Sequence, residues 1–365
     1  MKTLFDKTDF AGLVLKNRFF RSATRDGFAN ASGYVTEALE NIYANLAIGG
    51  VGAIITGQTF VTDAEQSIQP GQMGICNDSF ISDYQALIQK VHHYNTKIFL
   101  QLSCVGAQTF LDTKGKLIWG PSAVEDLATG CTPAAMSKED IDFLQKCFAD
   151  AAERAQKAGF DGIEIHAAHG YVLNKFLSPF YNKRGDEYGG RFENRIRMIV
   201  ETCRAIRAKV SDNYPILIKV NCDDFMTKGT TFHETKRLCR ILADAGISAI
   251  EISGGTFSSP NNLGPCRMDV ENNESYFGAY AAQIALDVQV PVIVVGGNRT
   301  TSRMTHLLNS TNIAYFSICR PLIQEPDLIN KWHRDSSYMP KCISCNKCLG
   351  LERTVCVYNR EDGFA

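Results

Sequence analysis

The chain has 365 residues, 45% of them hydrophobic and 21% charged, with a formal net charge of −1. That size and balance suit a globular protein with a sizeable core, built as one large α/β domain or two ordinary ones. They exclude a strongly basic nucleic-acid surface, and no apolar run reaches transmembrane length.

The opening MKTLFDKTDFAG has no apolar h-region, so no signal peptide is expected and a reducing cytoplasmic location fits. Thirteen cysteines is a high count. Most stand singly in apparent strands and helices (Cys147, Cys203, Cys239), which suits reduced core thiols better than a disulfide scaffold.

Taken in chain order, eight short apolar runs alternate with longer segments of helical period. The runs are NRFFRSAT (17–24), GAIITGQTF (52–60), KIFLQLS (97–103), GIEIHA (162–167), PILIKVN (215–221), AIEISGG (249–255), PVIVVGG (291–297) and AYFSICR (314–320). Their Ile and Val content reads as parallel strands buried on both faces. Helices are expected at 81–94, from the capping box SKED at Ser137 to about Lys157, from about Phe192, and at 233–245, 274–287 and 300–309. Gly49, Gly159 and Gly246 fall where helix C-caps should lie. Eight strand–helix units in succession predict a (β/α)8 TIM barrel. A doubly wound open sheet is the competitor, and it lacks a GxGxxG turn after the first strand, where ATRDGFA stands. Gln101 to Met136 forms a long insertion with a predicted hairpin in FLDTKGKLIWG. The barrel is expected to end near Trp332 and to be followed by a cysteine-rich tail, dividing the chain at residues 1–333 and 334–365.

Barrel chemistry sits at the C-terminal ends of the strands. There the sequence collects Thr24, Arg25, Gln58, Gln101, His166, His169, Tyr171, Lys219, Ser253, Asn298 and Arg320. VVGGNRT after strand 7 and SICRPL after strand 8 suit a phosphate: Gly296 and Gly297 allow close backbone approach, and Arg320 supplies a cationic fork. In IEIHAAHGY, His166 and His169 lack an obvious third ligand and the helical setting of a zinc hydrolase. Two imidazoles donating to one substrate oxygen would stabilise enolate charge there, and Tyr171 could deliver a proton. Histidines bonding loop carbonyls are the plain structural alternative.

LKNRFFRSAT (15–24), IEIHAAHGYVLNKFLSPFYNKRGDEYGGRFENR (163–195), VVGGNR and ICRPL, in that order, resemble the Old Yellow Enzyme family of FMN-dependent ene-reductases. More narrowly, the chain resembles the NADH:flavin oxidoreductases and the barrel domain of 2,4-dienoyl-CoA and 2-enoate reductases. The resemblance implies FMN in the barrel mouth of residues 1–333, reduced by NADH or NADPH. Ala23, Thr24 and Gln58 would edge the ring, Gln101 would bond its pyrimidine part, and Lys219 would stabilise the anionic reduced flavin. Gly296, Gly297, Asn298, Cys319 and Arg320 would hold the phosphate. An α,β-unsaturated carbonyl substrate (an enone or enoate) would bind through His166 and His169, take hydride from N5 at Cβ, and take a proton from Tyr171 at Cα. Trimethylamine dehydrogenases share the barrel but lack the HxxH pair, so its presence favours ene reduction over the alternative, an oxidative dehydrogenase or demethylase. Homo-oligomers are common in such a family. Arg25 stands where many relatives carry Thr or Cys. It would bind a substrate carboxylate or phosphate, or else turn outward to pair with Asp26.

The tail PKCISCNKCLGLERTVC places Cys342, Cys345, Cys348 and Cys356 in a CxxCxxC pattern with a fourth cysteine. Four thiolates suit an iron–sulfur cluster or zinc. In the multidomain relatives a similar motif holds a [4Fe–4S] cluster ahead of a second flavin domain, which is expected to be absent here. The expectation is such a cluster, zinc or an empty tail. With a cluster, an electron-transfer protein partner could feed the barrel, or the barrel could act only as an electron relay.

Overall fold

The computed structural model describes the chain except residues 66–68, 110–114, 261, 350–351 and 360–365. Eight parallel strands form the centre: Phe19–Arg21 (β1), Ala53–Ile55 (β2), Lys97–Ser103 (β3), Gly162–Ala167 (β4), Ile216–Asn221 (β5), Ala249–Ser253 (β6), Val292–Val294 (β7) and Ile313–Ile318 (β8). Each pairs with the next in sequence, β8 pairs with β1, and β3 pairs with β4, so the sheet closes into the expected (β/α)8 barrel. Burial on both faces explains why these strands read as unbroken apolar runs.

The longer helices follow the strands: Glu37–Ile48 (α1), Ser79–His92 (α2), Lys138–Ala158 (α3), Arg197–Arg207 (α4), Phe232–Asp244 (α5), Gly278–Ala285 (α6), Thr301–Ser310 (α7) and Leu328–Arg334 (α8). Reciprocal capping boxes start α3 (Ser137 with Asp140) and α5 (Thr231 with Glu234). α3 ends on Gly159 in the left-handed conformation, φ 101°. Among the described residues no helix is long and apolar enough to cross a membrane. All thirteen cysteines are free thiols.

Three features depart from the expected pattern or extend it. The opening residues are an antiparallel hairpin, Thr8–Phe10 with Leu13–Leu15. Its Phe10 and Leu15 are fully buried with the barrel-interior residues Phe20, Phe99 and Tyr315, so the hairpin plugs the N-terminal mouth. The predicted hairpin at 110–120 lies partly outside the described residues. At its end, Trp119–Gly120 pairs in parallel with Ala134–Ala135 instead. The insertion is anchored by an ion pair of 2.7 Å between Asp126 and Lys175, both side chains 1% exposed.

The tail does not hang free of the barrel. Arg299 donates to Cys342 O (2.6 Å), and Arg320 donates to Ser344 O (3.2 Å) and Asn346 Oδ1 (2.6 Å). Farther along, Thr354 N–H donates to Asp26 O at 2.8 Å. The tail therefore crosses the C-terminal mouth from the β7 and β8 loops to the loop after β1.

Candidate active site

One cleft at the C-terminal mouth is lined by every barrel residue singled out above: Ala23, Thr24, Arg25, Gln58, Gln101, His166, His169, Tyr171, Lys219, Ser253, Gly296, Gly297, Asn298, Cys319 and Arg320. All eight strands, or the loops directly after them, supply these groups, as barrel geometry demands.

The histidine turn is built with care. β4 ends at Ala167, and His169 and Gly170 both adopt positive φ (61° and 88°). A left-handed non-glycine residue is strained and needs support. Asn221 Oδ1 accepts from His169 N–H at 3.2 Å, and Asn174 Oδ1 accepts from Gly170 N–H at 2.8 Å. The turn brings the His166 ring 5.2 Å from that of His169 and 4.3 Å from that of Tyr171, both edge-on. Ala168 N–H donates to His166 Nδ1 at 3.3 Å, which leaves the ring proton of neutral His166 on Nε2. His169 Nε2 lies 2.7 Å from Ser253 Oγ, and Tyr171 donates to Gln58 Oε1 at 2.6 Å. Burial pushes both histidines down, with Lys219 and, for His166, its partner histidine adding to the effect; His169 falls to about 3. Both imidazoles are therefore neutral at physiological pH.

Beneath them lies a buried charge cluster. Lys219 stands opposite His166 in the β4–β5 register and opposite Glu251 in the β5–β6 register. Its ammonium is 2.9 Å from Glu251, 3.7 Å from Glu164 and 3.1 Å from Ser22 Oγ. Ser22 donates to Glu251 at 2.9 Å, and Gln101 Nε2 donates to Glu164 at 2.6 Å. Gln101 is thus held by Glu164 at its amide nitrogen, and the charge of Lys219 is compensated from below. Neither glutamate was singled out from the sequence. The available signal was the pattern Ile-Glu-Ile, which recurs in two strands that bury both faces (163–165 and 250–252).

At the other end, Gly296 and Gly297 have φ of 101° and 73°, a turn open to glycine and costly to other residues. The Asn298 side chain brackets the β7 and β8 loops, donating to Val294 O and Ser317 O and accepting from Ser275. Thr24 Oγ1 sits 3.1 Å from Cys319 Sγ. Arg320 lines the cleft here, as does Arg299, which sequence reasoning passed over. Arg25 also lines the cleft while donating to Pro70 O and Glu352 O; Asp26 pairs with Arg21 at 3.8 Å. Amide and ammonium groups at one end and a glycine turn with arginines at the other suit a flat heterocycle carrying a phosphate, as FMN does.

The tail cysteines lie beside this cleft. Cys342, Cys345, Cys348 and Cys356 line one small cavity beside Arg320. Among the described residues, however, no three His, Cys, Asp or Glu side chains are gathered as a metal site, in the tail or around His166 and His169.

The chain is also similar to known proteins. An NADH oxidase of Thermoanaerobacter brockii is 33% identical over 351 residues, 95% of this chain and 53% of that protein. A cinnamate reductase of Clostridium sporogenes is 29% identical over 372 residues, 96% of this chain and 56% of that protein. The chain thus spans about half the length of these curated relatives. The structure of an Old Yellow Enzyme homologue from Zymomonas mobilis shares the fold, with a TM-score of 0.79 at 24% identity over 94% of this chain and 95% of that one. A family model described as the NADH:flavin oxidoreductase / NADH oxidase family matches residues 3–337, and the chain belongs to that family.

Proposed function

We propose that this chain is an FMN-dependent, NAD(P)H-driven ene-reductase acting on the C=C bond of an α,β-unsaturated carbonyl compound. The observation that carries the reading is the trio His166, His169 and Tyr171: two neutral imidazoles and a phenol, held on a supported strained turn in the cleft wall. A relative named as a cinnamate reductase points the same way, since cinnamate is an α,β-unsaturated carboxylate.

Bound in the cleft, FMN would supply the hydride chemistry, with its phosphate on Gly296, Gly297, Asn298, Cys319 and Arg320 and its ring against Ala23, Thr24, Gln58, Gln101 and Lys219. The substrate carbonyl oxygen would accept from His166 Nε2–H and from His169. Neutral donors suit that role, because they stabilise the enolate charge that develops on the oxygen without giving up a proton to it. Tyr171 would hold the proton destined for Cα, and Gln58 orients its hydroxyl. Arg25, at the rim, would meet a substrate carboxylate.

The test is product analysis. Protein loaded with FMN and given NADPH or NADH and cyclohexenone in D2O should yield the saturated ketone with solvent deuterium at Cα. Consumption of the nicotinamide without a saturated product would overturn the reading.

A further inference from the structure

The carboxylates beneath Lys219 have no part in that scheme, yet their geometry is specific. Glu164 and Glu251 are each fully buried, and both face one ammonium, at 3.7 and 2.9 Å. They are not equivalent. Glu251 is the nearer, and it also accepts from Ser22. Glu164 accepts from Gln101 at Oε2, and its other oxygen, Oε1, is buried with no hydrogen-bond partner. Two adjacent buried carboxylates against one cation cannot both stay ionised without a surplus negative charge in a low-dielectric interior. A single proton on one of them makes the cluster neutral.

We infer that Glu251 is the counter-ion of Lys219 and, by neutralising it, holds down the reduction potential of the bound flavin, while Glu164 serves Glu251 as a neutral hydrogen-bond donor. Electrostatics supports the division of roles. Burial raises Glu164 far above the carboxylate range, Lys219 opposes that, and the charge of Glu251 adds to it. Burial pushes Glu251 up as well, but Lys219 and the bonds from Glu164 prevail and keep it low. The other groups near this lysine are His166 and His169 from the β4 loop, both neutral, Cys319 after β8, and Cys266, whose thiol is pushed up to about 11 by burial. Lys219 itself stays charged, since the carboxylate of Glu251 at 2.9 Å counters its burial. Both glutamates are therefore positioning residues: they act on the cofactor through Lys219 and touch no substrate.

The inference rests on the placement of the flavin ring against Lys219 proposed above, but not on the identity of the substrate. Spectroelectrochemical titration of the FMN-loaded protein tests it. Glu164→Gln keeps a neutral donor and should leave the midpoint potential close to that of the parent. The double variant Glu164→Gln/Glu251→Gln leaves Lys219 without a counter-ion and should raise it. Equal shifts in the two variants, or none in either, would overturn the inference. A flavin-free measurement covers the case in which the variants bind FMN poorly. Infrared spectra of the parent apoprotein carrying 13C-labelled glutamate should show one protonated glutamic acid at neutral pH, and absence of that band would overturn the inference without bearing on ene reduction.

Discussion

Tyr171, on the loop after β4, donates its phenolic hydrogen to Gln58 Oε1, on the loop after β2, at 2.6 Å. The Gln58 amide nitrogen in turn donates to Gln69 Oε1. A proton donor held by a side-chain acceptor has a fixed direction. Tyr171→Phe should slow reoxidation of the reduced flavin by an enone by about 10²–10⁴-fold, the usual worth of a positioned general acid. Reduction of the flavin by the nicotinamide should be unaffected. Stopped-flow measurement of the two half-reactions separates these effects, and equal slowing of both would count against Tyr171 as the acid.

Removing either imidazole should cost more than removing its support. His166→Ala or His169→Ala deletes a donor to the developing enolate and should lower kcat/KM for cyclohexenone by about 10²–10³-fold. Ser253→Ala only frees His169 Nε2, its 2.7 Å partner, and should cost less. Steady-state kinetics on the three variants checks the order.

The same histidines give the fold a pH signature. His169 is depressed from 6.5 to about 3 by burial in the folded state. In the unfolded chain it binds its proton near 6.5. Between these values the unfolded state holds more protons, so stability falls as pH falls through that window and is unaffected above it. Urea unfolding from neutral pH downward should show a shallower loss for His169→Asn than for the parent. Identical slopes would contradict the neutral assignment.

The Asp126–Lys175 pair fastens the long insertion beside the site, with both side chains 1% exposed. The ammonium also lies 4.6 Å from the centre of the Tyr181 ring. Asp126→Asn leaves a buried cation uncompensated and should cost about 3–5 kcal/mol of stability. Asp126→Leu/Lys175→Met removes both charges and should recover much of that. Chemical denaturation of the two variants distinguishes an ion pair from simple packing.

Much of this architecture was legible in the residues. Strands buried on both faces announce themselves as apolar runs, and at their C-terminal ends the polar side chains had one cleft to fall into. What lay hidden has physical reasons. The plug hairpin at Thr8–Leu15 is a pair of three-residue strands, too short for alternation to register. Glu164 and Glu251 looked like isolated charges until barrel closure set them around Lys219, since spacing along the chain does not reveal neighbours across strands. Arg299 read as a loop residue beside the glycine turn, and its role in holding the tail depends on where the tail crosses. The cysteine motif was plain as a pattern and its four cysteines do meet at one small cavity, but ligand geometry is a property of sulfur positions that spacing along the chain does not give.

The most direct test is an anaerobic absorption spectrum of the purified protein followed through addition of NADH or NADPH and then cyclohexenone. Ene reduction at this site predicts a flavin band that bleaches with the nicotinamide and returns with the enone. A flavin that bleaches and stays bleached in excess enone, with His166, His169 and Tyr171 intact, would contradict it.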